Sequence, residues 1–399
     1  PWRLCSARRS FAAGATKPDH RTSVATEQLL ELLNRAGVPA VSVAARVGNS
    51  DELAAPWLRE KYAGELGGTH PLTVGLTDGR TIDVIAKIRS DAGISKTLMP
   101  GVYEQLGIEL PLAYSRFRAA REMASVLDRE INIYRLQPEV PPLASYQPRY
   151  IGSVIDEATD LSVLVLEFIR EPRLMDTGAH VTGWTNDDVE LQLSAIGQVH
   201  GSFLRPGARP SGLDFLPESF TAADVAADAD FWHAGVEFVR VQRPDLLSAE
   251  GLRLREQLIT SAADWYGPVE AHPHTLVHND FNPRNACFRR VGRPVIYDWE
   301  LAMWGVPQRD LVEMMMFTTA PEHSDEYLRG LVTRQFGLVA SNRPDVDLSE
   351  TDWWEAFRGE VFYQTLNRLV FQQTLGETVA LGYVERITGA MNRLLRLVG

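Results

Sequence analysis

Asp280, Asn285 and Asp298 lie in "LVHNDFNPRN" and "VIYDWE", at intervals of 5 and 13 residues. Their types fit one demanding chemistry. Transfer of a phosphoryl group requires a divalent cation held by hard oxygen ligands, usually one or two carboxylates with water completing the shell. It also requires a carboxylate that orients the accepting hydroxyl and takes its proton. Asp280 suits the base. Asn285 can turn a carboxamide oxygen toward a metal, and Asp298, at the end of the apolar run "PVIYD", suits the main metal carboxylate. Two other readings exist for the same stretch. Asp280, Asn282, Pro283 and Asn285 are turn-forming types and could simply make a loop. His272, His274 and His278 could hold zinc, but Pro273 breaks helical spacing and neither cysteine nor an H-E-x-x-H pattern accompanies them.

The combined spacing resembles the catalytic segment of the aminoglycoside phosphotransferase and choline kinase family, whose pattern is H-x-D-x-x-x-x-N followed by a strand ending in Asp. The resemblance implies an α+β, bilobal protein-kinase-like fold, with a small antiparallel β-sheet N-lobe and a larger, mostly helical C-lobe. It implies that Asp280 is the catalytic base, that Asn285 and Asp298 bind Mg²⁺, and that His278 is structural. Asp310 in "GVPQRDLVEMM" would pack against the catalytic loop. This chain departs from the pattern in three places. Asn279 stands where many relatives have Gly, Asn282 where protein kinases carry Lys, and Arg284 precedes the metal Asn.

Such a fold needs an ammonium from the N-lobe on the nucleotide phosphates and a Glu to hold it. "DVIAKI" supplies Lys87, similar to the V-A-I-K strand. "DREINIYRL" supplies Glu130 on a following helix. Lys occurs only at Lys17, Lys61, Lys87 and Lys96 among 40 basic residues, and the compact ammonium is not interchangeable with a guanidinium. "GELGGTH" offers Gly67 and Gly68 for close approach of backbone to phosphates, or a flexible connector. "LVLEFIRE" resembles the strand entering the inter-lobe hinge, which implies that backbone groups of Glu167, Phe168 and Ile169 hold the adenine. His200 in "IGQVHGSFL" reads as a packed core residue.

The elements that must position these residues can be read from patterning. Helical spacing covers Val24–Gly37 and Phe117–Val140, the latter ending before Pro141-Pro142. "PLTVGLTDGRTIDVIAKI" contains two β-rich runs about an Asp78-Gly79 turn. "RYIGSVID" and "LSVLVLEFI" add two strands. From Asn186 onward helices dominate, interrupted by the short strands "NACFRR" and "RPVIYDWE". The expected division is therefore a nucleotide-binding lobe over 24–169 and a catalytic, acceptor-binding lobe over 170–399. Residues 1–23 are Arg-rich and acid-poor. They resemble a transit peptide and equally a cloning scar or a mis-set start, and are set aside as a disordered or processed tail.

Composition narrows the class. The chain has 399 residues, a formal net charge of −12 and 45% hydrophobic residues, within the soluble globular range. The net negative charge argues against broad binding to nucleic acid or anionic membranes. Two cysteines far apart, Cys5 and Cys287, exclude a disulfide framework and make a reducing, cytoplasmic setting the default. The expected activity is an ATP-dependent (GTP is possible), Mg²⁺-dependent phosphotransfer to the hydroxyl of a small molecule. Antibiotic inactivation is the first purpose; a metabolic kinase for choline, a sugar or an amino alcohol, or a non-catalytic kinase-like binder, are the alternatives. No nucleic-acid or membrane partner is expected, and monomer and homodimer both stay open. Acceptor contacts could come from Trp353, Trp354, Tyr363 and Phe371, more of them core than site, and from Glu300, Glu313, Glu355 and Glu360.

Overall fold

The computed structural model describes residues 20–46, 68–89, 126–156, 161–373 and 382–399. The chain opens with α1 (His20–Arg35), then β1 (Ala40–Ala45), β2 (Gly68–Leu76) and β3 (Thr81–Arg89). Two helices follow, α2 (Val126–Arg135) and α3 (Pro141–Tyr146), and then β4 (Tyr150–Asp156) and β5 (Leu161–Glu167). These strands form one antiparallel sheet in the order β1-β2-β3-β5-β4. The β2–β3 turn is the expected one, with Gly79 at φ 82° and Asp78 accepting from the Arg80 N–H at 3.0 Å.

Strand parity explains how this sheet serves a cleft. Successive side chains of a strand point to opposite faces. On β3, Val84, Ala86 and Ile88 are fully buried in the cluster that includes Leu32 and Leu33 of α1. Lys87 and Arg89 therefore share the other face. On β5, Val163 and Val165 belong to the α1 cluster, whereas Leu164 and Leu166 join the larger core that also holds Ile131 and Tyr134 of α2. One face of the sheet is thus sealed by α1, and the other carries Lys87 toward α2 and the second lobe.

The second lobe is mostly helical: α4 (Asn186–Phe203), α5 (Ala222–Ala227), α6 (Ala229–Gln242), α7 (Ala249–Thr260) and α8 (Ala262–Ala271) come first. Short strands β6 (Thr275–Val277), β7 (Ala286–Phe288), β8 (Pro294–Ile296) and β9 (Met303–Gly305) then form two two-stranded sheets, β6 with β9 and β7 with β8. Next come α9 (Gln308–Thr318), α10 (Asp325–Asn342) and α11 (Glu350–Gln364); α11 runs into a π-helical turn at Thr365–Leu369, and α12 (Val384–Val398) closes the chain. The fold is the expected α+β one, an antiparallel sheet joined to a helical lobe.

Three local expectations change. β1 was not anticipated; most of its residues are exposed, so "AVSVAA" carries no alternating apolar signal. The helix expected over Phe117–Val140 ends at Arg135, and Pro141 instead starts α3, where a missing N–H costs nothing in the first turn. Residues 117–125 lie outside the described residues. The first helix begins at His20, four residues ahead of Val24.

Helix α4 starts with a reciprocal cap, in which the Thr185 hydroxyl accepts from the Asp188 N–H and Asp188 accepts from the Thr185 N–H. Thr185→Ala is expected to lower stability by about 1 kcal/mol, read as a shifted urea midpoint with an unchanged slope.

Candidate active site

The residue before Asp280 must turn sharply. Asn279 adopts φ 60°, a left-handed conformation that Gly and Asn tolerate and most residues do not. That is the physical content of Asn where many relatives have Gly. The turn is over-determined: the Asn279 N–H donates to Asp310 Oδ1 at 2.8 Å, and its side-chain Nδ2 to the Leu301 carbonyl at 2.9 Å. Asp310 also accepts from the His278 N–H at 2.8 Å and pairs with His200 Nε2 at 2.9 Å. All of this is solvent-free, with His200, His278 and Asp310 at 0% exposure. Both the structural assignment of His278 and the packing of Asp310 against the loop agree with this geometry.

Burial would raise the Asp310 carboxyl, but the His200 hydrogen bond and the surrounding donors hold it below the ordinary value. A depressed native pKa means stabilisation that is present above the unfolded pKa and is lost as pH falls through the native one. Asp310→Ala strands three donors and is expected to cost about 3 kcal/mol. Asp310→Asn should flatten the acid limb of a stability-versus-pH curve below about pH 4. Thermal melts of the two variants at several pH values check both outcomes.

Asp280 follows, partly exposed. Asn285 Nδ2 donates to Asp280 Oδ2 at 2.7 Å and to its carbonyl at 2.9 Å, and Asn282 Nδ2 reaches Oδ1 at 3.0 Å. Asn285 thus spends its amine on Asp280. Its carboxamide oxygen takes no donor among the described residues. The β7–β8 hairpin brings the second carboxylate alongside: Ala286 pairs with Ile296, and the Tyr297 N–H donates to the Asn285 carbonyl at 3.0 Å. Asp298 is the next residue, again left-handed at φ 66°.

Across the cleft, Lys87 Nζ lies 2.8 and 2.7 Å from the Glu130 oxygens and 2.6 Å from Asp298 Oδ1. Burial opposes the charge on Lys87, but Asp298 and Glu130 outweigh it and its pKa is raised. The Asp298 carboxyl is correspondingly held well below its usual value against burial. Two residues further on each element, Arg89 pairs with Glu300. The two pairs lie side by side because Lys87 and Arg89 share one face of β3, while Asp298 and Glu300 come from a left-handed residue and the 3-10 turn Trp299–Leu301 that follows it. Oxygens of Glu130, Asp298 and Glu300 lie within 4.8 Å of one another. With the free Asn285 oxygen, this donor set is the hard, all-oxygen kind that Mg²⁺ takes.

At the hinge, the N–H groups of Glu167 and Phe168 are already used, donating to the Arg149 and Asp83 carbonyls. The Glu167 carboxylate is paired with Arg289 at 2.7 and 2.9 Å. Ile169, just past β5, has an N–H with no acceptor among the described residues. As an N–H donor to adenine it is therefore better placed than its two neighbours. Gly68 opens β2 opposite Ile88, and Gly67 lies outside the described residues.

The acceptor residues named from sequence are mostly engaged. Trp353 and Tyr363 are fully buried core, and Glu360 is buried against Arg309 at 3.1 Å. Glu355 pairs with Arg358, and Glu300 with Arg89. Glu313 alone stays beside Asp280, its Oε1 3.3 Å from Asn282 Nδ2 and its carboxyl pushed by burial up to about 7. His272 and His274 are not zinc ligands with His278 here: His272 bonds Pro273 and Gln308, and His278 Nε2 lies 2.9 Å from the Tyr297 carbonyl. Sequence reasoning passed over Arg89 and Arg368. Arg89 had a signal, being two positions from Lys87 on the same strand face. Arg368 had none.

Residues 216–347 match the family model described as phosphotransferase enzyme family, and His278, Asp280, Asn285, Asp298 and Asp310 all fall inside that segment. That segment is similar to phosphotransferases. Among solved structures, the chain is similar to choline kinase LicA from Streptococcus pneumoniae at 12% identity and TM-score 0.46, covering 94% of this chain and 100% of that one. It is similar to macrolide 2'-phosphotransferase MphH from Brachybacterium faecium at 15% identity and TM-score 0.45, covering 92% and 97%. A ternary complex of aminoglycoside phosphotransferase APH(4)-Ia with ADP and hygromycin B gives 13% identity and TM-score 0.46, covering 92% and 97%. No curated protein matches the chain.

Proposed function

We propose that the chain transfers the γ-phosphate of ATP to a hydroxyl of a small molecule with the help of Mg²⁺. The observation that carries this reading is Lys87, bracketed by Glu130 and Asp298 and facing the loop in which Asn285 fixes Asp280. A non-catalytic binder has no chemical need for all five groups together.

In this reading residues 24–169 hold the nucleotide and 170–399 supply the chemistry and the acceptor walls. Lys87 neutralises the α/β-phosphates, and the Ile169 N–H meets the adenine edge. Asp298 and the Asn285 carboxamide oxygen would hold Mg²⁺, which would supply positive charge to offset the charge developing on the transferred phosphoryl group. Asp280, locked by two side-chain amides, aligns the acceptor hydroxyl and accepts its proton. No helix among the described residues is long and apolar enough to cross a membrane; the cytoplasm is the proposed location. Antibiotic inactivation and metabolic phosphorylation both fit this chemistry.

The direct test incubates the purified chain with ATP, Mg²⁺ and a library of hydroxylated compounds, and reads a mass gain of one phosphate with matching ADP release. The gain should vanish with EDTA. Mg²⁺-dependent nucleotide binding without phosphate transfer to any compound would favour the binder.

A further inference from the structure

The surroundings of Asp280 have an unusual charge. Arg284 sends Nη2 to within 3.3 Å of Asp280 Oδ1, and Nη1 lies 3.2 Å from the Tyr383 hydroxyl. Its guanidinium sits over the rings of Phe317 and Tyr383, at 5.2 and 5.5 Å, and its side chain is a third exposed. The chain opposite has been cleared for it, since a Cβ on Gly178 would fall 2.2 Å from Arg284 Cγ. Arg368, from the π-helical turn, approaches the same Asp280 oxygen at 4.0 Å and Glu313 at 3.9 Å.

Arg386 borders the same Gly178 and Phe317, donating to both of their carbonyls. It is half-buried and has no carboxylate partner among the described residues. Burial lowers its pKa, with Tyr383 as the only opposing influence. Two guanidiniums, Arg284 and Arg368, therefore approach Asp280, and Arg386 adjoins Arg284 through the shared Gly178 and Phe317; against them stand Asp280 itself and Glu313, whose carboxyl burial pushes up to about 7.

An amine-bearing acceptor would need the reverse arrangement. The carboxylates that could have met it are occupied, Glu300 by Arg89, Glu360 by Arg309 and Glu355 by Arg358.

We propose that the acceptor carries an anionic group, a carboxylate or a phosphate, beside the hydroxyl delivered to Asp280, and that Arg284 and Arg386 receive it. The inference rests on the kinase reading and narrows its substrate class to hydroxy acids and phosphorylated alcohols, away from aminoglycosides and choline. No new step enters the chemistry. The hydroxyl oxygen bonds to the γ-phosphorus as the bond to the β-bridging oxygen breaks, ADP leaves, and the hydroxyl proton passes to Asp280.

The test measures ADP release by the full-length chain with Mg²⁺ and ATP across three groups of probes. These are hydroxy acids such as glycerate and gluconate, sugar monophosphates, and cationic acceptors such as choline and kanamycin. Stimulation confined to the first or second group is expected, and which group responds tells carboxylate from phosphate. For the best acceptor, Arg386→Gln should raise KM about 10- to 100-fold, the loss of one charged hydrogen-bond partner, with kcat changed only a few-fold. Arg386→Lys, which keeps the charge, should recover part of the KM and guards against a folding defect.

Turnover of a cationic acceptor, or no stimulation by any anionic one, overturns the inference. So does an Arg386→Gln variant that loses kcat equally for every acceptor, because the guanidinium would then serve the nucleotide. Absence of Mg²⁺-dependent nucleotide binding in the wild-type chain would instead bring down the kinase reading itself.

Discussion

Asp280→Asn should lower kcat about 10³-fold, within the range for losing a positioned general base, while nucleotide affinity stays within about twofold of wild type. The reasoning is geometric. The Asp280 oxygens accept from Asn285, Asn282 and Arg284 and, among the described residues, bond to no group of the sheet or of α1–α3. A carboxamide keeps the shape and one acceptor but cannot take a proton. It also loses the charge attraction to Arg284, so a small change in melting temperature accompanies the kinetic loss. Because the Asn amide can rotate to present its oxygen to Asn285, the loop should stay folded. Steady-state kinetics beside nucleotide titration separates the outcomes. Retention of more than about a tenth of wild-type kcat would remove Asp280 from the role of base.

Asp298→Ala should abolish the Mg²⁺ dependence of nucleotide binding and lower turnover by on the order of 10²–10³-fold, the usual cost of deleting one preorganised electrostatic group. Here both protein-side consequences act together. On the proposed reading Mg²⁺ would lose its principal carboxylate, and Lys87 loses one of its two anionic partners, leaving Glu130 at 2.7 Å. Fold stability should change less than activity, since the Asp298 side chain is about a third exposed. Calorimetric titration of ADP with and without Mg²⁺ reads the first effect directly. An undiminished Mg²⁺ effect in the variant would exclude the assigned metal role.

The catalytic segment could be read from sequence because its constraints are local. A base, a carboxamide and a carboxylate held about one hairpin have fixed types and fixed intervals, and β7 and β8 deliver those intervals as backbone register. Lys87 and Glu130 were legible for a related reason: strand parity and the helix that follows it limit where an ammonium can meet its counter-ion. Side-chain occupation was not legible. Glu300 looks the same in sequence whether it faces solvent or Arg89, and Glu360 whether it faces a ligand or Arg309. Such pairings join residues from distant parts of the chain and leave no periodic trace. β1 escaped notice because one exposed edge strand needs little apolar patterning.

The wide turn at Thr365–Leu369 has a consequence for how this chain can vary. A π turn accommodates one residue more than an α turn, and successive helical residues are rotated by about 100° about the axis. Arg368 lies inside it and reaches the Asn279 carbonyl. Shortening the chain by a single residue there would restore regular α geometry with the helix on either side left in phase, so the change would fall on the side chains inside the turn, Arg368 among them. A change of length at this point would therefore be felt first as the loss of the Arg368 contact to the Asn279 carbonyl, with the rest of the helix kept.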